Sequence, residues 1–304
     1  MSGGALVVGE ALIDVVVDGD RASRHPGGSP ANVALGLARL AVDTRLHTAI
    51  GDDPDGALVG RHLRDSGVSL TGASVTSAPT STAVATLARD GSAVYDFAVT
   101  WAPATLDDLG SPALIHTGSI AAFLRPGAEI VRDIVRRGAS LGSLVTFDPN
   151  IRPALLPDRE TVRAVFGELA SASRLVKLSD EDAAYLYPGT PLDSVLDLLI
   201  DNGVGVAAIT RGADGAVLAS GSARAVITPV RTPVADTVGA GDSFMAALIQ
   251  ALAFDDEGWD GSPIALDRLQ IVGERAARAA AITVSRSGAD LPSLGDLLAV
   301  SRTA

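Results

Sequence analysis

Two kinds of hydrophobic patterning alternate along the chain. Short apolar runs predict strands at 5–9, 11–17, 44–50, 113–118, 144–148, 174–178 and 205–210. Apolar residues at helical spacing, such as Val33, Leu37 and Leu40, predict a helix over 31–40. Further helices are expected at 55–66, 127–138, 159–172, 180–186, 192–202, 240–253, 264–284 and 293–300. Such alternation is the signature of a parallel sheet covered by helices on both faces, so the expected fold class is α/β. One region breaks the rhythm. The runs 80–88 and 93–100 flank Arg89-Asp90-Gly91-Ser92 and read as a hairpin with an Asp-Gly turn. Together with 11–17 they predict a small sheet outside the main layer. A second hairpin is expected at 215–218 with 224–228, and 26–30 reads as a loop. Without internal repeats or a long linker, the expectation is one domain over 1–304 with a β lid formed by about 11–24 and 80–101.

Composition narrows the function. The 304 residues are 47% hydrophobic and 20% charged, ordinary for a globular protein with a sizeable core. The longest charge-free stretch, 66–88, is rich in Ser, Thr, Gly and Pro, so no membrane span is expected. The opening Met-Ser-Gly-Gly carries no basic region of the kind that begins a signal peptide. The lack of Cys rules out disulfides and thiolate metal sites and fits a cytoplasmic protein. His25, His47, His62 and His116 are scattered, without metal-ligand spacing. A net charge of −12 and the lack of a basic tract argue against nucleic acid as a partner. A local site with Mg²⁺ can still hold an anionic nucleotide. Lys177 is the single lysine and is followed by Leu178, which excludes a Walker A loop and the Val-Ala-Ile-Lys element of protein kinases. No Gly-x-Gly-x-x-Gly opens a helix, so a dinucleotide-binding dehydrogenase is disfavoured.

The most informative stretch is D-T-V-G-A-G-D-S-F at 236–244. Two glycines lead into an apolar helical run, and Asp242 falls in its first turn. Free N–H groups and the positive end of a helix dipole suit a developing anion, and the carboxylate can act as a base. Taken alone, Gly-Ala-Gly-Asp equally describes a tight helix entry with a favourably placed acid.

This stretch has company. D-T-V-G-A-G-D-S-F and P-G-G-S-P-A-N-V-A-L-G-L-A-R-L (26–40) resemble the two signatures of the ribokinase/PfkB carbohydrate kinases. Shorter similarities occur in the same order at G-E-A-L-I-D (9–14), F-D-P-N-I-R (147–152), T-R-G-A-D-G (210–215) and S-R-S-G-A (285–289). The resemblance implies a ribokinase-like three-layer core, with a mostly parallel sheet flanked by helices and a small β-sheet lid. It implies an ATP-dependent sugar kinase with Asp242 as general base and Gly239, Ala240 and Gly241 forming the anion hole. Sugar hydroxyls would be held by Asp14, Gly27, Gly28 and Asn32. On the residues alone, Asn32 is an ordinary polar residue of a helix start and Gly27-Gly28 a plain loop. Arg152 is expected to face substrate or phosphate, with a surface ion pair as the alternative. Thr210, Gly212 and Gly215 would contact the nucleotide, as would Lys177 and Ser179.

The chain departs from the family where relatives carry Asn-x-x-Glu, because Ser179 and Asp182 stand there. Asp182 would then hold Mg²⁺ through water. Asp236, Val238 and Gly288 match a region that often holds a monovalent cation such as K⁺. A homodimer through the lid is a further partner that the resemblance admits. F-D-P-N-I-R and the lid run V-Y-D-F (94–97) look most like bacterial fructokinases. The segment between Asp90 and Pro112 has no Arg or Lys, which disfavours the acidic sugar 2-keto-3-deoxygluconate. Ribokinase stays open. Tyr95, Phe97 and Trp101 are few aromatics for stacking a nucleoside base. A non-catalytic sugar-binding relative is the alternative from another class.

Overall fold

A computed structural model of the chain describes residues 3–19, 21–87, 93–255 and 258–300. The main sheet runs in the order β15 (Ala223–Ile227), β14 (Ala216–Ser220), β13 (Val206–Thr210), β12 (Leu175–Ser179), β11 (Leu144–Asp148), β10 (Leu114–Gly118), β1 (Ala5–Val8), β4 (Thr44–His47) and β6 (Val68–Leu70). Every pairing from β13 to β6 is parallel, and β14 and β15 form an antiparallel edge. A fully buried parallel strand needs apolar side chains on both faces, which is why these strands read as unbroken apolar runs. One face packs on α1 (Ser29–Arg39), α2 (Pro54–Asp65), α7 (Ala240–Ala253), α8 (Leu266–Val284) and α9 (Leu294–Val300). The other packs on α3 (Gly127–Ser140), α4 (Arg159–Ala172), α5 (Asp180–Leu186) and α6 (Leu192–Asp201). The chain is an α/β protein.

Local chemistry explains the helix starts. Asp53 caps α2 by accepting from the Gly56 amide, and Asp158 caps α4 through the Thr161 amide. Ser179 and Asp182 form a reciprocal capping box at α5. Helix α7 is buried on every side from Asp242 to Ala253, as its all-round apolar sequence requires. It crosses α1 at Gly36, where a Cβ would lie 2.7 Å from Leu291 Cδ2 and 2.8 Å from Ala246 Cβ. Only glycine permits that approach.

A second sheet stands apart, in the order β3 (Arg21–Gly27), β2 (Leu12–Asp18), β8 (Thr82–Leu87) and β9 (Ala93–Ala98), and β5 (Ile50–Gly51) pairs with β7 (Val75–Thr76). The Asp-Gly turn expected at 89–92 lies outside the described residues. Strand β3 is a correction to the sequence reading, which ended its strand at 17 and set a loop at 26–30. Arg21 to His25 are exposed and follow no apolar alternation. The strand exists because its backbone pairs along the whole of β2. Strand β6 was also unexpected, being three residues at the sheet edge.

From β1 the chain winds outward to β4 and β6, and later returns to β10 on the other side of β1. Strand order reverses there. The carboxyl ends of β1 and β10 at such a reversal are the place where open α/β sheets bind ligands.

Candidate active site

Most of the residues singled out in the sequence gather along this carboxyl edge. Asp242 lies in the first turn of α7 and is buried. Its Oδ1 accepts from Ser29 Oγ at 2.6 Å, and its Oδ2 accepts from Asn32 Nδ2 at 2.8 Å. Both partners belong to α1, so the Gly36 crossing brings two helix N-termini onto one carboxylate. Gly239 caps α7 in the left-handed region, with φ 78°, and a Cβ there would press on Ala289. The Ala240 amide reaches Thr237 O at 3.3 Å. Among the described residues, the Gly241 and Asp242 amides bond to no other group of the chain. Unpaired N–H groups at a helix start form a receptor for an anion.

Asp14, on β2, leads into the neighbouring wall. Its Oδ2 would lie 2.1 Å from a Cβ on Gly27, so that glycine makes room for the carboxylate. Gly28 has φ 102° and backs onto the Glu10 carbonyl, 2.5 Å from where its Cβ would sit. Burial raises the Asp14 carboxyl, and the nearby charges of His25 and Arg152 pull it partway back. Arg152 is exposed at the end of the β11 loop, and its Nη1 donates to its neighbour's carbonyl, Ile151 O.

The nucleotide candidates fall on the next strands. Ser179 and Thr210 end β12 and β13 side by side. Gly212 and Gly215 both have positive φ in the turn that follows, and a Cβ on Gly215 would strike Ile227 O. Lys177 is placed differently from a nucleotide contact. Its side chain is buried and its Nζ bonds Asp148 Oδ2 at 2.7 Å; burial pulls the ammonium down, and the carboxylates of Asp148, Asp182 and Asp242 together more than offset it, so its pKa is raised.

Asp182 also differs from its expected role. Its Oδ1 accepts from the Ile151 amide at 2.8 Å and its Oδ2 from the Ser179 amide at 2.9 Å. With both oxygens turned into the chain and the residue buried, the carboxylate does not fit as a magnesium holder. No cluster of three or more His, Cys, Asp or Glu able to hold a metal occurs among the described residues. Asp236, Val238 and Gly288 do come together. The Asp236 carboxylate accepts from the Val238 amide through Oδ1 and from the Gly288 amide through Oδ2, each at 3.0 Å. Trp101 belongs to the core, its indole N–H donating to Ala121 O, and is withdrawn from any stacking role.

The structure adds residues that the sequence did not single out. Ser29 holds Asp242 directly. Glu10, at the end of β1, is buried with its Oε2 accepting from the Ala121 amide, and burial pushes it up to about 8. Asp148 is sealed beside Lys177 and is raised to about 6 by burial. Ser119 and Asn150, which follow β10 and β11, are non-glycine residues with φ of 53° and 36°. Strain of that kind is tolerated where surrounding structure demands it. Glu10, Ser29, Asp148 and Asn150 lie in segments whose motifs were visible and Ser119 in none, and each residue type carries ordinary meanings.

Comparison with known proteins agrees with this architecture. The profile of the pfkB family of carbohydrate kinases matches residues 5–294, and the chain belongs to that family. It is a phosphotransferase acting on an alcohol group, and a sugar kinase. It is similar to a fructokinase of Rhizobium leguminosarum bv. trifolii, 31% identical over 83% of this chain and 80% of that one. In structure it resembles a double-mutant fructokinase of Vibrio cholerae bound to fructose, ADP and potassium ion, with a TM-score of 0.84 and 24% identity over 98% and 99% of the two chains. The aminoimidazole riboside kinase of Salmonella enterica, complexed with its riboside and an ATP analog, gives 0.82 and 23% over 97% and 98%. These two structures share the fold. Among the described residues, no helix is long and apolar enough to cross a membrane.

Proposed function

We propose that the chain is an ATP-dependent kinase for a primary hydroxyl of fructose, with Asp242 as general base. The observation that carries this reading is the seating of Asp242. Ser29 and Asn32 fix both of its oxygens at the mouth of α7, beside the unpaired amides of Gly241 and Asp242. A base so oriented can take the proton of an alcohol while the adjacent amides stabilise the transferring group. The free amides fit a nucleotide phosphate, and ATP supplies the phosphoryl group when bound. Asp14, Gly27, Gly28 and Arg152 orient the sugar, and strands β2, β3, β8 and β9 cover it and exclude water. Thr210, Gly212, Gly215 and Ser179 line the nucleotide. Asp236, Val238 and Gly288, drawn together by one carboxylate, are the candidate monovalent-cation site. Fructose is favoured by the name of the Rhizobium relative and by the lack of Arg or Lys between Asp90 and Pro112.

A coupled ADP-release assay with fructose, ribose, 2-keto-3-deoxygluconate and adenosine tests the substrate. Fructose should give the highest kcat/KM, and no release with any of the four would favour a binding protein. Asp242→Asn should lower kcat by about 10²–10⁴-fold while calorimetry finds ATP and fructose still bound. Near-normal turnover in that variant would remove the mechanism.

A further inference from the structure

A buried charge lies directly beneath the first turn of α7. A Cβ on Gly241 would sit 3.1 Å from Lys177 Nζ, so the ammonium faces the side of Gly241 where a side chain would begin. Lys177 and Asp148 side chains are only 4% and 1% exposed. Asp148 Oδ1 and His116 Nε2 are buried without partners on the same face of the sheet. Burial and the Lys177 charge keep His116 neutral. The pair therefore turns its positive end towards the Gly239–Asp242 turn, where Asp242 already stands.

Stability does not account for such a pair. Apolar residues of similar volume in place of a buried ion pair are often neutral or stabilising. We propose that Lys177, held by Asp148, is a positioning residue for phosphoryl transfer: a fixed cation behind Gly241 that keeps the anion-binding turn in place and offsets the negative charge collecting there. The proposal rests on the reading of 239–242 as an anion hole. A preorganised charge aimed at developing charge needs no reorganisation during reaction, which makes it effective in a dry site.

Three variants test it: Lys177→Met, Asp148→Asn, and the double variant Lys177→Met with Asp148→Leu. The double variant removes both charges, so its melting temperature should stay near that of the wild type. Its kcat should still fall about 10²-fold, with the sugar KM within about threefold. A double variant with kcat within threefold of the wild type would reduce the pair to a structural role and overturn the proposal. Asp148→Asn and Lys177→Met break the same ion pair, but only the first keeps the cation beside Gly241. The expected order is kcat of Asp148→Asn above that of Lys177→Met by at least about tenfold, and equality or the reverse counts against it.

Calorimetry supplies a readout that needs no turnover. The ratio of Kd for ATP to Kd for ADP should rise at least about fivefold in Lys177→Met and stay unchanged in Asp148→Asn, because the last phosphate meets the hole. An unmoved ratio in Lys177→Met overturns the proposal even if no sugar is phosphorylated. Failure of the underlying reading looks different: Asp242→Asn would then keep its turnover whatever the lysine variants do.

Discussion

Glu10 faces burial on one side and the Asp242 carboxylate nearby. Burial is the larger cause that raises it from 4.5 to about 8, against the lowering effect of hydrogen bonds from Ser119 and Ala121. The folded chain thus keeps a proton that the unfolded chain gives up as pH climbs through this window. Its contribution to stability is fully present below the unfolded value and is lost as pH rises through the folded one, at about 1.4 kcal/mol per pH unit. Glu10→Gln keeps a carbonyl for the Ala121 amide but has no proton to release. Its melting temperature should exceed that of the wild type at pH 9, and the gap should close near pH 5. Scanning calorimetry across that range decides the matter; no gain at pH 9 would mean the acid is not held neutral.

At the scale of elements, the site depends on how closely α1 and α7 approach. Gly36→Val would drive methyl groups into Leu291 and Ala246, which lie within 2.8 Å of its first added carbon. Overpacking of this kind should destabilise by about 1–3 kcal/mol in urea unfolding. It should also lower kcat, although Gly36 touches no substrate, because Ser29 and Asn32 ride on α1. Unchanged kcat in a destabilised protein would show that the helix pairing does not set Asp242. Helix α7 was legible because a helix apolar on all sides has few places to go except the core. The glycine-rich turns were legible because positive φ and close backbone approach leave few other residue types possible. Strand β3 was hidden because its partner, not its own pattern, makes it a strand. Ser29 and Glu10 were hidden for a related reason: a serine at a helix start and a glutamate after a strand acquire their roles only through residues far along the chain. Asp182 was misread because Ser-x-x-Asp serves both as a helix cap and as a metal-holding pattern, and here the cap takes Oδ2 while the Ile151 amide takes Oδ1.

Across the whole molecule, the small sheet and the main body are joined by a polar contact at the edge strand. Arg24 on β3 forms a bidentate ion pair with Asp55 in the first turn of α2, its Nε 3.0 Å from Oδ1. The Asp55 carboxylate is also favoured by the positive end of its helix. Both partners are partly exposed, at 46% and 23%, so the pair should contribute only about 0–1 kcal/mol to stability and weaken with salt. Its leverage lies instead in orientation, because β3 continues directly into Gly27 and Gly28 beside Asp14. Releasing Arg24 frees the outer side of β3 from α2 while its ladder to β2 stays in place. Asp55→Asn should therefore raise the sugar KM several-fold, leave kcat within about twofold, and move the melting temperature by no more than a few degrees. Raising ionic strength should shift the wild-type KM towards that of the variant while leaving the variant nearly unaffected. Steady-state kinetics at two salt concentrations separates the cases: if Asp55→Asn changes kcat and leaves KM alone, the ion pair orients the catalytic groups and not the cover over the sugar.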